Sequence, residues 1–128
     1  MAVNEEGRQI EIANELAEVA RTLAHSTRTV PHPSDSFELL ASLRSAQESL
    51  AQVYAQLAAW HGAAVDGTHY SGEDSNSIPG VPAVGAHGQA TALLNMAAAS
   101  AWEAGDLVNK AHSTNAVVRW FDEVKETA

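Results

Sequence analysis

"LLASLRSAQESLAQVYAQLAAWHG" (39–62) is the stretch that decides the fold. Leu39, Leu43, Ala46, Leu50, Val53, Leu57 and Trp60 recur in alternating steps of four and three. Residues so spaced fall on one stripe of an α-helix, and the pattern persists over about three heptads. Leu40 and Tyr54 widen the stripe, which suits a helical bundle better than a two-stranded coil. Gly62 stands where a left-handed residue would end the helix. Strand signals are nearly absent: "VVRWF" (117–121) is the only run rich in β-formers.

Toward the N-terminus, Asn4 is a good helix cap, and Glu5 and Glu6 suit the positive end of a helix. Ile12, Leu16, Val19 and Leu23 share one face, so a first helix is expected to end around His25. "STRTVPHPSD" (26–35) reads as a connection stiffened by Pro31 and Pro33. Asp35 with Glu38 makes a capping-box-like start for the second helix.

Toward the C-terminus, Gly62 to Gly88 is rich in Gly, Ser and Pro and has no helical period. A loop of that length is expected to be functional or only partly ordered. A third helix is expected from Gly88 or Gln89, with Leu94, Ala97, Ala98, Ala101, Gly105 and Val108 as a small-residue face. "HSTN" (112–115) reads as a break, followed by a short last helix anchored by Val117, Trp120, Phe121 and Val124. A continuous helix through the break is the alternative. The expected fold is therefore all-α: a single-domain, up-and-down bundle of about four helices over residues 1–128. Its alanine face on the third helix would pack against the leucine stripe of the second.

Composition narrows the function. The formal net charge is −9, from 16 acidic and 7 basic residues. Nucleic-acid binding relies on Lys and Arg to neutralise phosphates, and docking on anionic lipid has the same need, so neither is expected. No apolar run approaches the roughly 18 residues of a membrane-spanning helix. The chain has no cysteine, which excludes thiol nucleophiles and Cys-bound zinc. No basic region followed by an apolar run opens the chain, so a cytoplasmic protein is expected.

The chemistry-bearing side chains collect in "AAWHGAAVDGTHYSGED" (58–74). Trp60, His61, Asp66, His69, Tyr70 and Glu73 are the candidate ligand-binding residues. His61, His69 and Asp66 are the candidate metal ligands, for zinc or nickel, since imidazole and carboxylate suit those ions. None of the six histidines makes a Glu-x-x-His, His-x-x-x-His or His-x-His pair, so such a site needs loop folding to assemble it. Asp66, His69 and Ser71 have the types of a hydrolytic triad but no Gly-x-Ser-x-Gly elbow. The competing reading is structural: Trp60 and Tyr70 anchor the loop onto the helix end, with Asp66-Gly67 as turn chemistry. No cofactor and no catalytic role are expected. A non-enzymatic interaction module is, with a protein partner or self-association, and Trp120 and Phe121 as interface anchors.

"LAAWHGAA" (57–64) resembles the Trp-x-Gly signature of the WXG100 family of secretion substrates, with Leu57, Trp60 and Gly62 matching. The resemblance implies a helical hairpin with the motif at its turn and leaderless export by type VII machinery. The chain departs from the pattern in its long polar loop after the motif, its extra preceding helix and the absence of a C-terminal Tyr-x-x-x-Asp/Glu. The run from Trp60 to Asp74, with "AHSTNAVVRWFDE" (111–123), is similar to small uncharacterised helical proteins of actinobacteria, which implies no particular activity.

Overall fold

A computed structural model describes residues 5–70 and 84–126, the side chains of 84–87 excepted. The fold is all-α, with helices α1 (Gln9–Ser26), α2 (Ser36–Ala63) and α3 (Val84–Asn115). Single 3₁₀ turns at Glu6–Arg8 and Pro33–Asp35 precede α1 and α2. Among the described residues no helix is long and apolar enough to cross a membrane. The chain divides into two compact units, Met1–Ser36 with Trp120–Ala128, and Phe37–Arg119.

In the first unit, α1 ends one residue beyond His25, where the Thr27 N–H and hydroxyl both bond the Leu23 carbonyl, at 2.9 and 3.0 Å. The expected cap at Asn4 lies outside the described residues. At the other end, the Arg8 guanidinium forks between Glu5 at 2.8 Å, Glu11 at 2.9 Å and Glu15 at 3.4 Å. The bond to Glu11 does most to hold Arg8 further toward its charged form than an ordinary arginine. Desolvation opposes that shift, and the charge of Glu15 and the bond to Glu5 add to it. No residue of α1 is buried.

The segment after α3 corrects an expectation. Residues 116–126 form no helix. Instead the Phe121 carbonyl accepts the Ser34 N–H at 2.9 Å, and the Asp122 carbonyl accepts a bond from His32 Nδ1–H at 2.9 Å. Val117 and Val118, β-branched and adjacent, oppose a new helix start. α3 itself runs without interruption through His112 and stops at Asn115, so the break expected at 112–115 is a helix end.

The second unit is a helical hairpin. Phe37 stacks against His112 with ring centroids 4.1 Å apart. Arg44 donates to Asn109 Oδ1 at 3.0 Å. A Cβ on Gly105 would lie 3.4 Å from Gln47 Cβ, and one on Gly62 would lie 3.7 Å from Thr91 Cγ2. Positions rise along α2 as they fall along α3, so the helices run antiparallel over nearly the whole of α2. Gly105 marks a close crossing.

Helix α3 meets its neighbour through the expected small-residue face: Ala98, Ala101 and Gly105 are buried, and Leu94 and Val108 half-buried. The partner line on α2 is not the leucine stripe. It is Leu40, Arg44, Gln47, Ala51, Tyr54, Ala58 and His61, every one buried or half-buried, with Ala51 fully inaccessible and Ala58 at 2 %. The contact lies one residue, about 100°, ahead of the stripe read from the sequence. Alanine against alanine and glycine lets the axes approach closely; leucine at those positions would hold them apart. α3 also starts earlier than expected, at Val84, which places Gly85 and Gly88 in its opening turns. The first four N–H groups of a helix lack partners within it, so glycine is least disruptive there.

Candidate functional site

Two regions of the hairpin unit are candidate sites. The first is the end of α2. Helix α2 runs past Gly62 to Ala63, and a compact turn follows at once. The Thr68 and His69 N–H groups both bond the Val65 carbonyl, at 3.1 and 2.9 Å, and the Gly67 N–H bonds the Tyr70 carbonyl at 2.8 Å. A lone bridge pairs Asp66 with Tyr70. Gly67 has φ +81°, a conformation glycine adopts without a Cβ penalty, so Asp66-Gly67 is the turn its sequence indicates.

This turn brings His69 back to the helix. Its ring meets Trp60 edge-on at 5.9 Å, and the His61 ring meets Trp60 edge-on at 5.1 Å. The Val65 N–H donates to His69 Nδ1 at 2.9 Å. Nδ1 therefore acts as an acceptor and the neutral ring carries its proton on Nε2. A metal ion would have only Nε2 of His69 left to bind. Tyr70 is half-buried and Asp66 exposed. Glu73 and Ser71 lie outside the described residues, as does the side chain of His87. Among the described residues no three His, Asp or Glu side chains stand close enough together to hold a metal ion. His61, His69 and Trp60 are thus brought together by ring packing and by one backbone bond, which is what a structural anchor requires.

The second region was only half visible in the sequence. The stripe Leu43, Leu50, Val53, Leu57 and Trp60 flanks the hairpin contact and stays half-buried or exposed, with Leu57 at 44 % and Trp60 at 53 %. Helix α3 carries a counterpart: Leu93, Ala97, Ser100, Ala104, Leu107 and Ala111, again in steps of four and three. Leu93 is exposed at 61 % and Leu107 at 56 %. Both stripes sit one residue behind their helix's contact line. In antiparallel right-handed helices the same backward step turns both stripes to the same side of the hairpin. That side therefore presents one face built from two helices. It is apolar but for Ser100, and neither stripe contains a charged residue. The opposite side carries Glu48, Asp106 and Asn95, with Trp102 exposed among them. The signal for the α3 stripe was present in its spacing, but a helix rich in small residues offers several such lines and spacing alone does not rank them.

The expected interface anchors Trp120 and Phe121 belong to the first unit. Both are exposed, and Lys125 Nζ sits 4.7 Å above the Phe121 ring, a cation–π contact. The Phe121 backbone, through its bond to Ser34, has a structural task of its own. No family model matches the chain, and neither a curated protein nor a solved structure gives a match to it.

Proposed function

We propose that this chain is a non-enzymatic interaction module whose working surface is the uncharged, largely apolar side of the α2–α3 hairpin. One observation carries the reading. The hairpin closes on alanines, so Leu50, Val53 and Leu57 on α2 with Leu93 and Leu107 on α3 are aligned on one side and left exposed or half-buried, while the opposite side exposes Trp102 among charged and polar residues. Contiguous apolar surface of this kind marks protein contact sites. A helical partner with its own four-and-three stripe fits such a face. The acidic balance of the chain goes with a protein partner and against nucleic acid. Residence in the cytoplasm belongs to this reading.

Affinity capture from native lysate with the full chain and with a Leu50→Glu/Leu57→Glu variant tests it. Partners recovered by the first and lost by the second are expected. Equal recovery by both, or no partner with either, overturns the reading.

A second reading, an exported Trp-x-Gly hairpin protein, draws support from the position of Trp60 and Gly62. They fall in the last two turns of the hairpin's first helix. Appearance of the protein in culture supernatant, with intracellular markers retained in cells, is the expected result. Retention under conditions that export other such substrates counts against it. A ligand held by Trp60, His61 and His69 finds less support, because those rings already pack on one another.

A further inference from the structure

The hairpin face specifies its own occupant. We propose that a second copy of this chain covers it, the two hairpins packing face to face about a two-fold axis parallel to their length. The proposal rests on the docking-face reading above and adds the identity of the partner.

Shape favours this arrangement. The two stripes of the face differ in size: α2 supplies Leu50, Val53 and Leu57 at mid-height, whereas α3 supplies Ala97, Ser100 and Ala104. A two-fold axis along the hairpin sets α2 of each copy on α3 of the other. At mid-height large side chains then meet small ones twice over, as close packing of four helices demands, while Leu93 and Leu107 lie near the level of Trp60 and Leu43 of the other copy at the two ends. Ser100 is the one polar member, and a serine covered on a helix has the carbonyl four residues back to bond. An axis across the hairpin would set leucine on leucine and small residue on small residue, leaving one half crowded and the other hollow.

Charge favours it too. Two molecules of net charge −9 repel, and they meet most readily where the surface carries no charge. Neither stripe has a charged residue. At the rim, the same two-fold axis places Glu38, near the start of α2, beside Lys110 of the other copy, because Phe37 and His112 stand at one level of the hairpin. Lys110 also pairs with Asp106 on its own helix at 3.0 Å, and its exposed ammonium has donors to share.

The available area is sufficient. From Phe37 to Gly62 the helix pair is about 38 Å long at 1.5 Å per residue, and about 19 Å wide for two helices side by side. Each copy would cover about 700 Å², near 1,400 Å² in total, within the roughly 1,200–2,000 Å² of specific, stable interfaces.

Sedimentation equilibrium of the full chain at micromolar concentration tests the proposal. The expected species has twice the 13.5 kDa chain mass. Leu50→Glu/Leu57→Glu is expected to weaken it roughly 100-fold, the scale of losing central apolar anchors. Ser45→Glu/Gln52→Glu, on the opposite side, should leave it unchanged. Should the first variant lose helicity by circular dichroism, Ser100→Leu replaces it. Ser100 is exposed in the single chain, so the hairpin has room for the leucine, while added bulk on the small stripe breaks the fit between copies without burying charge. Glu38→Lys alone should weaken pairing a few-fold and Glu38→Lys with Lys110→Glu restore it. A monomer at all concentrations overturns the proposal, as does a dimer indifferent to both Leu50→Glu/Leu57→Glu and Ser100→Leu. A monomer whose capture of a different protein still requires Leu50 and Leu57 overturns self-pairing and leaves the docking face standing. A monomer whose captures ignore those residues removes both.

Discussion

Helix α1 and the α2–α3 hairpin are both built from alanine-rich, amphipathic sequence, yet different forces hold them. In the hairpin, contacts between residues far apart in the chain run along the helices: Phe37 on His112, Arg44 on Asn109, Gln47 against Gly105, Gly62 against Thr91. Ala51, Ala58, Ala98 and Ala101 are buried between them. In α1 no residue is buried, and its side-chain ion pairs are local: Arg8 to Glu5, Glu11 and Glu15, and Arg21 to Glu18. An isolated helix of that length is marginal in water, and exposed ion pairs add little to it. Periodicity alone therefore does not say which residues are buried. α1 also carries a line of small residues, Ala13, Ala17, Ala20 and Ala24, and what separates the two is that only the hairpin's alanines are buried.

That contrast can be broken most directly at Ala51. A leucine there must enter a space with no access to solvent, against an α3 surface of alanine and glycine. Overpacking of this kind costs about 1–3 kcal/mol. Ala51→Leu should lower the denaturant midpoint of the hairpin, read by circular dichroism, while Ala55→Leu, on an exposed position one turn along, should not. An unchanged midpoint for Ala51→Leu would mean that the helices do not meet on this line.

The next effect is at the turn beyond the hairpin's first helix. Gly67 at φ +81° has open space around its missing Cβ, so Gly67→Ala is resisted by the backbone alone. The left-handed conformation costs an alanine roughly 1–2 kcal/mol. The loss should be local: the Val65 N–H to His69 Nδ1 bond weakens and His69 leaves Trp60. Nitrogen chemical shifts of His69 should move from an Nε2–H ring with an accepting Nδ1 toward a free imidazole, with the midpoint of the hairpin little changed. A His69 already free in the parent chain would remove the anchor reading of this turn.

These two sites show what is legible in the sequence. The existence of α1, α2 and α3 is, because apolar spacing and the Pro31–Pro33 connection are local signals. So is the small-residue face of α3. The contact line of α2 is not: the leucine stripe is the louder pattern, and the true line mixes Arg44, Gln47, Ala51, Tyr54 and Ala58, which no hydropathy pattern singles out. Ala51 and Ala58 are its two buried members, and their part in the close approach becomes visible only once Gly105 and Ala101 stand opposite. The last expected helix fails for a different reason. The spacing of Trp120 and Phe121 suggests helical anchors, but the ordering comes from the backbone carbonyls of Phe121 and Asp122, which bond Ser34 and His32 far away in the sequence. At the candidate site, Asp66-Gly67 announces its turn. The acceptor role of His69 Nδ1 stays hidden, since it depends on how that turn closes.

A smaller effect sharpens the hairpin side of the comparison. Arg44 Nη1 bonds Asn109 at 3.0 Å, while its Nε lies 3.7 Å from Glu48, too long for a hydrogen bond. The side chain is 41 % exposed, so solvent screens what it contributes. Arg44→Ala and Asn109→Ala should each cost about 0.5–1 kcal/mol, with a double-mutant coupling of about 0.5 kcal/mol. No coupling would mean that the pair does not bridge the two helices in solution.

The smallest effect lies on the other side, at Arg8. Arg8 ends the turn before α1, and its three carboxylate partners are local: Glu5 just before that turn, Glu11 and Glu15 in the first part of α1. Arg8→Ala should therefore lower the helical Cα shifts of residues near the start of α1, without moving the unfolding midpoint of the hairpin. The loss should shrink in 1 M salt, because all four side chains are exposed and salt weakens exposed ion pairs. Its pH dependence has a definite sign. The folded chain holds Arg8 above the ordinary arginine range, chiefly through Glu11. The contribution is thus complete at every pH below that range at which the carboxylates stay ionised, and it fades on rising through the range. Between neutral pH and about pH 10 the first turn of α1 should stay as helical as before, since arginine keeps its charge there. A decline in that window would require a group other than Arg8 to hold the turn. If Arg8→Ala instead lowered the hairpin midpoint, α1 would owe its order to more than its own charges, and the contrast between the two regions would fail.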